Sequence, residues 1–136
     1  MPLYGHELGE ETNALWCGVD FAIALDKDQE ERGEKYVGME ALKKTAAAGG
    51  PARKLAGFEI EGKRSARQGM VIRSGGKEVG VVTSGCPSPT LGKSIAMGFL
   101  DKELQAVGSN VEIDTGKGTL PAKVVPMPFY KAAKKG

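Results

Sequence analysis

The sequence predicts a mainly β fold: a small closed barrel of six antiparallel strands, preceded by one further strand and one α-helix. Two observations point there. Glycine accounts for 20 of 136 residues and stands singly or in pairs between short apolar runs. Tight turns need this spacing, because a residue without Cβ reaches positive φ without a clash. From Arg53 onward apolar and polar residues alternate with period two, the mark of half-buried strands. Closure follows from size, since so small a sheet with open edges would pair between molecules.

The elements follow in order. Val19, Phe21, Ile23 and Leu25 alternate with Asp20, Ala22 and Ala24, which predicts the first strand. Residues 26–35 are almost wholly charged and read as an exposed loop. Residues 36–48 form the helix, with Met39, Leu42 and Ala46 as its apolar stripe, and Gly49-Gly50-Pro51 ends it. Ala56, Phe58 and Ile60 open the barrel, and residues 70–73 form a short strand. Ser74-Gly75-Gly76-Lys77 is a hairpin connection into residues 78–84. Ile95, Met97 and Phe99 alternate with Ala96 and Gly98, as in a strand covered on both faces. Val111 and Ile113 belong to the next strand, and Gly116-Lys117-Gly118 turns the chain into the last, where Pro121 implies an edge or a bulge. Val79, Val81, Ile95, Met97, Phe99, Val111, Ile113 and Val124 are expected to line the core.

Composition excludes several classes. No apolar run reaches the length of a membrane span, and the first residues lack the basic and apolar regions of a secretory leader, so secretion is not expected. A net charge of +2 is too mild for a nucleic-acid binder, and basic clusters such as Arg64 with Arg67 read as solvated surface. Cys17 and Cys86 show no paired spacing and His6 is the sole histidine. A zinc site needs about four such ligands, so none is expected; nor is a Cys–His nucleophile. Cysteine usage favours a reducing compartment.

One stretch carries a resemblance. Gly80-Val81-Val82-Thr83-Ser84-Gly85-Cys86-Pro87-Ser88-Pro89-Thr90-Leu91, followed by Ile95-Ala96-Met97-Gly98-Phe99, closely resembles the signature of the T-protein (aminomethyltransferase) C-terminal domain of the glycine cleavage system. Pro2-Leu3-Tyr4-Gly5 with Glu10-Glu11-Thr12, Tyr36-Val37-Gly38-Met39-Glu40-Ala41-Leu42, and Pro128-Phe129-Tyr130 are similar to further family segments in the same order. The resemblance implies two parts. Residues 1–50 would be a connector, strand and helix left over from the folate-binding region, and residues 51–136 the C-terminal barrel.

It also implies transfer of a one-carbon unit from the aminomethyl-lipoyl group of an H-protein to tetrahydrofolate, with release of ammonia. The aspartate that family chemistry uses near the folate, and most pterin contacts, belong to segments that precede Pro2-Leu3-Tyr4-Gly5. No catalytic residue is therefore expected here, and the chain reads as a piece inactive alone. Tyr4 would face the folate pocket, and Lys131 or Lys134 would pair with the cofactor's glutamyl carboxylates. Alternatives are a free-standing barrel module for a protein partner or folate-like ligand, and the equivalent domain of a sarcosine or dimethylglycine dehydrogenase relative. The compartment implied is the cytoplasm of a bacterium or the mitochondrial matrix of a eukaryote.

The element 83–89 reads as a rigid inter-strand loop in which Ser84 is inert, Gly85 supplies a strained angle and Cys86 is packed. Trp16, Phe21, Ile23 and Leu25 would form an exposed patch unless residues 1–50 fold back on the barrel or join a second copy as a homodimer.

Overall fold

The computed structural model describes residues 2–131. Six strands close into one antiparallel barrel: β1 Arg53–Ile60, β2 Val71–Ser74, β3 Lys77–Ser88, β4 Lys93–Asp101, β5 Asn110–Asp114 and β6 Thr119–Val125. The order around the wall is β1-β4-β3-β2-β5-β6, with β6 pairing back onto β1. Short connections follow from turn chemistry. Ser74 pairs with Lys77 across Gly75 and Gly76, both at positive φ, which is the two-residue hairpin whose twist matches the strands. At the other hairpin the Asp114 carboxylate accepts the Gly116 amide at 2.8 Å, and Thr115 N donates to Gly118 O.

Pro121 is on no edge, because the barrel has none. Its carbonyl accepts Glu61 N, just past Ala122, where the β1–β6 pairing ends. The missing N–H faces the same way as that carbonyl, so it falls beyond the ladder rather than inside it.

Inside the barrel, Phe58 lies between Ala96 and Val124, Ile72 between Gly80 and Ile113, and Val111 beside Ala122. Leu100, Val82, Leu120 and Ile60 complete this core. Val79, Val111, Ile113 and Val124 belong to it as expected. Val81, Ile95, Met97 and Phe99 do not. In β4 the inward residues are Ala96, Gly98 and Leu100, while the larger side chains face out. A six-stranded barrel has little interior volume, and Phe58, Ile72 and Val82 already fill the space facing β4. Phe99 is nevertheless only 8% exposed, because Trp16 packs edge-on against it with ring centroids 5.9 Å apart.

The expected strand around residues 19–25 is absent. In its place are 3₁₀ turns at Ala14–Trp16, Asp20–Ala22 and Lys27–Gln29. A closed barrel offers no edge for a seventh strand, so the segment lies along the outer wall instead. Leu15 and Cys17 are buried there, whereas Phe21 is 91% exposed. Lys54 pairs with Asp20 at 3.0 Å. Residues 14–20 thus pack back against β1.

The helix, α1 Met39–Ala47, is shorter than its pattern. Gly38, at φ 85°, sets its start. At its end Gly50 N donates to Thr45 O and Gly49 N to Ala46 O, the paired bonds of a glycine-terminated helix. Met39 is buried and Leu42 half-buried, but Ala46 is exposed. Asn13 Nδ2 donates to Thr45 Oγ1, and Lys102 Nζ to Gly49 O, tying α1 to the rest.

Candidate functional site

Strand β3 carries two bulges. Pairing slips between Ile72 and Arg73, leaving Val79 unopposed, and again between Val82 and Ser84, leaving Thr83 unopposed. The second bulge turns the backbone at residue 83 outward, and the connector docks there. A bulge re-aims side chains and frees ladder groups; here Thr83 O accepts from His6 Nδ1 at 3.2 Å, which requires a proton on that nitrogen.

The connector itself is a tight turn. Leu3 O accepts from the amides of His6, Glu7 and Leu8, and Gly5 N donates to Leu8 O at 2.8 Å. Glu7 points inward and has no accessible surface. Its Oε2 accepts Leu3 N at 2.9 Å and its Oε1 accepts Ser84 Oγ at 2.7 Å. Gln68 Nε2 donates to Gly5 O at 3.1 Å, a third tether. Cys17 is buried behind the turn and donates its thiol to Glu7 O. Burial, with Asp20 and Glu7 nearby, pushes that thiol up, so it stays protonated and inert.

Burial alone drives the Glu7 carboxyl pKa up. The hydroxyls of Thr83 and Ser84, the Leu3 amide and the charge of His6 outweigh it, and the carboxyl lies below its ordinary 4.5. Thr83 Oγ1, buried without a hydrogen bond of acceptable geometry, helps only as a nearby dipole. A depressed carboxyl pKa contributes stability that is complete above the ordinary value and is lost as pH falls through the folded one. Lowering the pH from about 6 to about 3 is therefore expected to loosen residues 3–8 while β3 and β4 stay paired. Amide exchange of residues 5–8, corrected for intrinsic rates, reads this directly. Protection of those amides that holds down to the acid unfolding of the barrel would contradict it.

These contacts revise the reading of residues 83–89. Most of that element lies within strand β3. Gly85 is not at positive φ; a Cβ there would stand 2.5 Å from Ala66 O, so close backbone approach is what demands glycine. Cys86 is exposed on the outer strand face rather than packed. Ser84 is engaged rather than inert. Glu7 was missed altogether, because nothing local separates it from Glu10 and Glu11, which are exposed.

The outer face of β4 forms a floor between connector and tail. One cavity of about 340 Å3 is lined by Leu3, Ser84, Cys86, Ile95, Met97 and Phe129. Another of about 490 Å3 includes Glu59, Lys93, Ile95, Phe129 and Lys131. Ile95 and Phe129 belong to both, so the two are contiguous. The tail is seated because Gly57 has no side chain, and a Cβ there would lie 2.8 Å from Met127 and 2.9 Å from Phe129. Tyr4, next to Leu3, is 78% exposed with its ring free. Lys131 is exposed at the far end of this floor. Lys134 lies outside the described residues. The structure thus brings Tyr4 and Lys131 to the same side of the barrel without joining them in an enclosed site.

A barrel packed solid within, with an apolar floor and a tethered connector on one outer wall, defines a domain that works through its surface. Residues 53–131 match the family described as "Glycine cleavage T-protein C-terminal barrel domain", and the chain belongs to that family. It is 41% identical over 131 residues to an aminomethyltransferase of Rubrobacter xylanophilus, covering 96% of this chain and 33% of the relative. It is 40% identical over 134 residues to one of Bacillus pumilus, covering 98% and 35%. The glycine cleavage system aminomethyltransferase T of Bartonella henselae shares the fold, with a TM-score of 0.83 at 23% identity, over 96% of this chain and 35% of that one. The chain therefore spans about a third of the length of the curated relatives it matches. Among the described residues no helix is long and apolar enough to cross a membrane.

Proposed function

We propose that this chain is the C-terminal part of a folate-dependent aminomethyltransferase of the glycine cleavage system. In that role it supports one-carbon transfer from an H-protein-bound aminomethyl-lipoyl group to tetrahydrofolate without carrying the chemistry. The observation that supports this most is sequence identity near 40% to aminomethyltransferases along almost the whole chain. The residues present fit one wall of a folate site: an apolar floor of Met97 and Phe129, a free aromatic at Tyr4 and a cation at Lys131. In this reading Tyr4 stacks on the ring system and Lys131 pairs with glutamyl carboxylates, joined by Lys134 as the sequence implies. Such exposed pairs contribute about 0–1 kcal/mol and fade with salt.

Proton transfer at the folate needs a carboxylate that reaches it. Glu7 does not serve, because it has no exposed surface and both oxygens already accept hydrogen bonds. The chain alone is thus expected to show no aminomethyl transfer and weak tetrahydrofolate binding in calorimetric titration. Activity is expected on mixing it with the separately expressed N-terminal part of a relative and H-protein. Turnover by the isolated chain, or micromolar folate binding indifferent to Tyr4→Ala, would overturn this assignment.

A further inference from the structure

A carboxylate sealed from water needs compensation that an apolar side chain would not, and here the Leu3 amide and the Ser84 hydroxyl, with His6 nearby, supply it. Among the described residues Glu7 has no cationic partner within ion-pair distance, yet its surroundings are otherwise exposed: Leu3, Tyr4, Gly5 and His6 all face solvent. What a carboxylate offers and an apolar side chain does not is direction. One oxygen holds the Leu3 amide, immediately before Tyr4, and the other holds Ser84 on the barrel wall. His6 to Thr83 and Gln68 to Gly5 fix the same turn just after Tyr4. The backbone is tied on both sides of Tyr4 while its ring is left uncovered.

We propose that Glu7 is a positioning residue: through the Leu3 amide and Ser84 it locks the turn of residues 3–8 onto the Thr83 bulge and presents the Tyr4 ring, ordered in advance, to tetrahydrofolate. The ligand half of this inference rests on the reading of Tyr4 as a folate contact. Its physical content is preorganisation, since a ring already held in place loses less freedom on binding. Glu7 acts only through Tyr4, so its effect on affinity depends on the ring being there.

The test uses the full chain in four variants: Glu7→Ala, Glu7→Gln, Ser84→Ala and Tyr4→Ala, with the Glu7→Ala/Tyr4→Ala pair. Amide exchange of residues 5–8 is expected to rise about tenfold or more in Glu7→Ala, the scale of one hydrogen bond to a charged group, with β3 and β4 amides unchanged. Ser84→Ala moves the same amides in the same direction. Glu7→Gln restores most of the protection, because its oxygen can take the Leu3 N–H and its nitrogen can donate to Ser84 Oγ. In titrations with tetrahydrofolate, Glu7→Ala weakens binding, and the double variant binds no more weakly than Tyr4→Ala alone. Unchanged exchange in both Glu7→Ala and Ser84→Ala overturns the lock, and additive losses in the double variant overturn action through Tyr4. A titration indifferent to Tyr4→Ala overturns the folate reading instead, while the exchange result still decides the positioning.

Discussion

Phe58→Ala is expected to lower the stability of this protein by about 3–5 kcal/mol, the cost of emptying a fully enclosed aromatic site. Phe58 has no exposed surface and touches the inward residues of both neighbouring strands, Ala96 on β4 and Val124 on β6. Its neighbours are held in two ladders, so the barrel cannot collapse around the cavity. Phe99→Ala makes the contrast. That ring lies on the outer wall beneath Trp16, and truncating it opens a gap toward solvent rather than a sealed void. It should lose mainly burial, about 1.5–3 kcal/mol. Urea or thermal unfolding of both variants orders them. A larger loss in Phe99→Ala than in Phe58→Ala would mean that β4 is registered one residue away, with Phe99 inside.

The contrast marks where sequence stops being legible. Strand positions were readable because glycines bound each period-two run, and the hairpin at Ser74-Gly75-Gly76-Lys77 falls where its residues place it. The facing of β4 was not. A strand covered on both sides has no polar face to orient it, and volume argues against intuition: the barrel interior takes Ala96, Gly98 and Leu100, while Trp16 packs on Phe99 and Ile95 and Met97 line the floor between connector and tail. Residues 19–25 alternate like a strand, but a strand needs an edge, and closure removes every edge.

The candidate site was half visible. Tyr4 and Lys131 entered from family resemblance, and the structure leaves both exposed. Glu7 did not come from it, since its environment is made by a bulge at Thr83, and no local pattern in β3 announces which residue will be left unopposed. A carboxylate's burial is then a tertiary fact, decided seventy-seven residues away at Ser84.

Gly98→Val is expected to prevent folding, and even Gly98→Ala should cost about 3 kcal/mol, the upper end of what overpacking usually costs. Gly98 is not at positive φ, so no backbone strain is involved. The limit is space. A Cβ built there stands 2.5 Å from Val81 O and 3.1 Å from both Ile72 Cδ1 and Val82 Cα. Ile72 can shift a methyl, but Val81 O and Val82 Cα are backbone of β3, and Val82 is the ladder partner of Gly98. Moving that backbone away means pulling apart the β3–β4 pairing next to the bulge on which the connector docks. Gly80 is in the same position from the other side, where a Cβ would overlap the Phe99 carbonyl. Gly92 supplies the control. It has φ 64° with open space around it, so Gly92→Ala meets only the left-handed penalty of about 1–2 kcal/mol. Denaturant unfolding of the two alanine variants separates the mechanisms, with Gly98→Ala the more damaging and the turn of residues 3–8 losing amide protection along with β3. A cost below about 1 kcal/mol for Gly98→Ala would show that β3 and β4 are not packed this closely, and the connector would then lack the rigid wall that its lock requires.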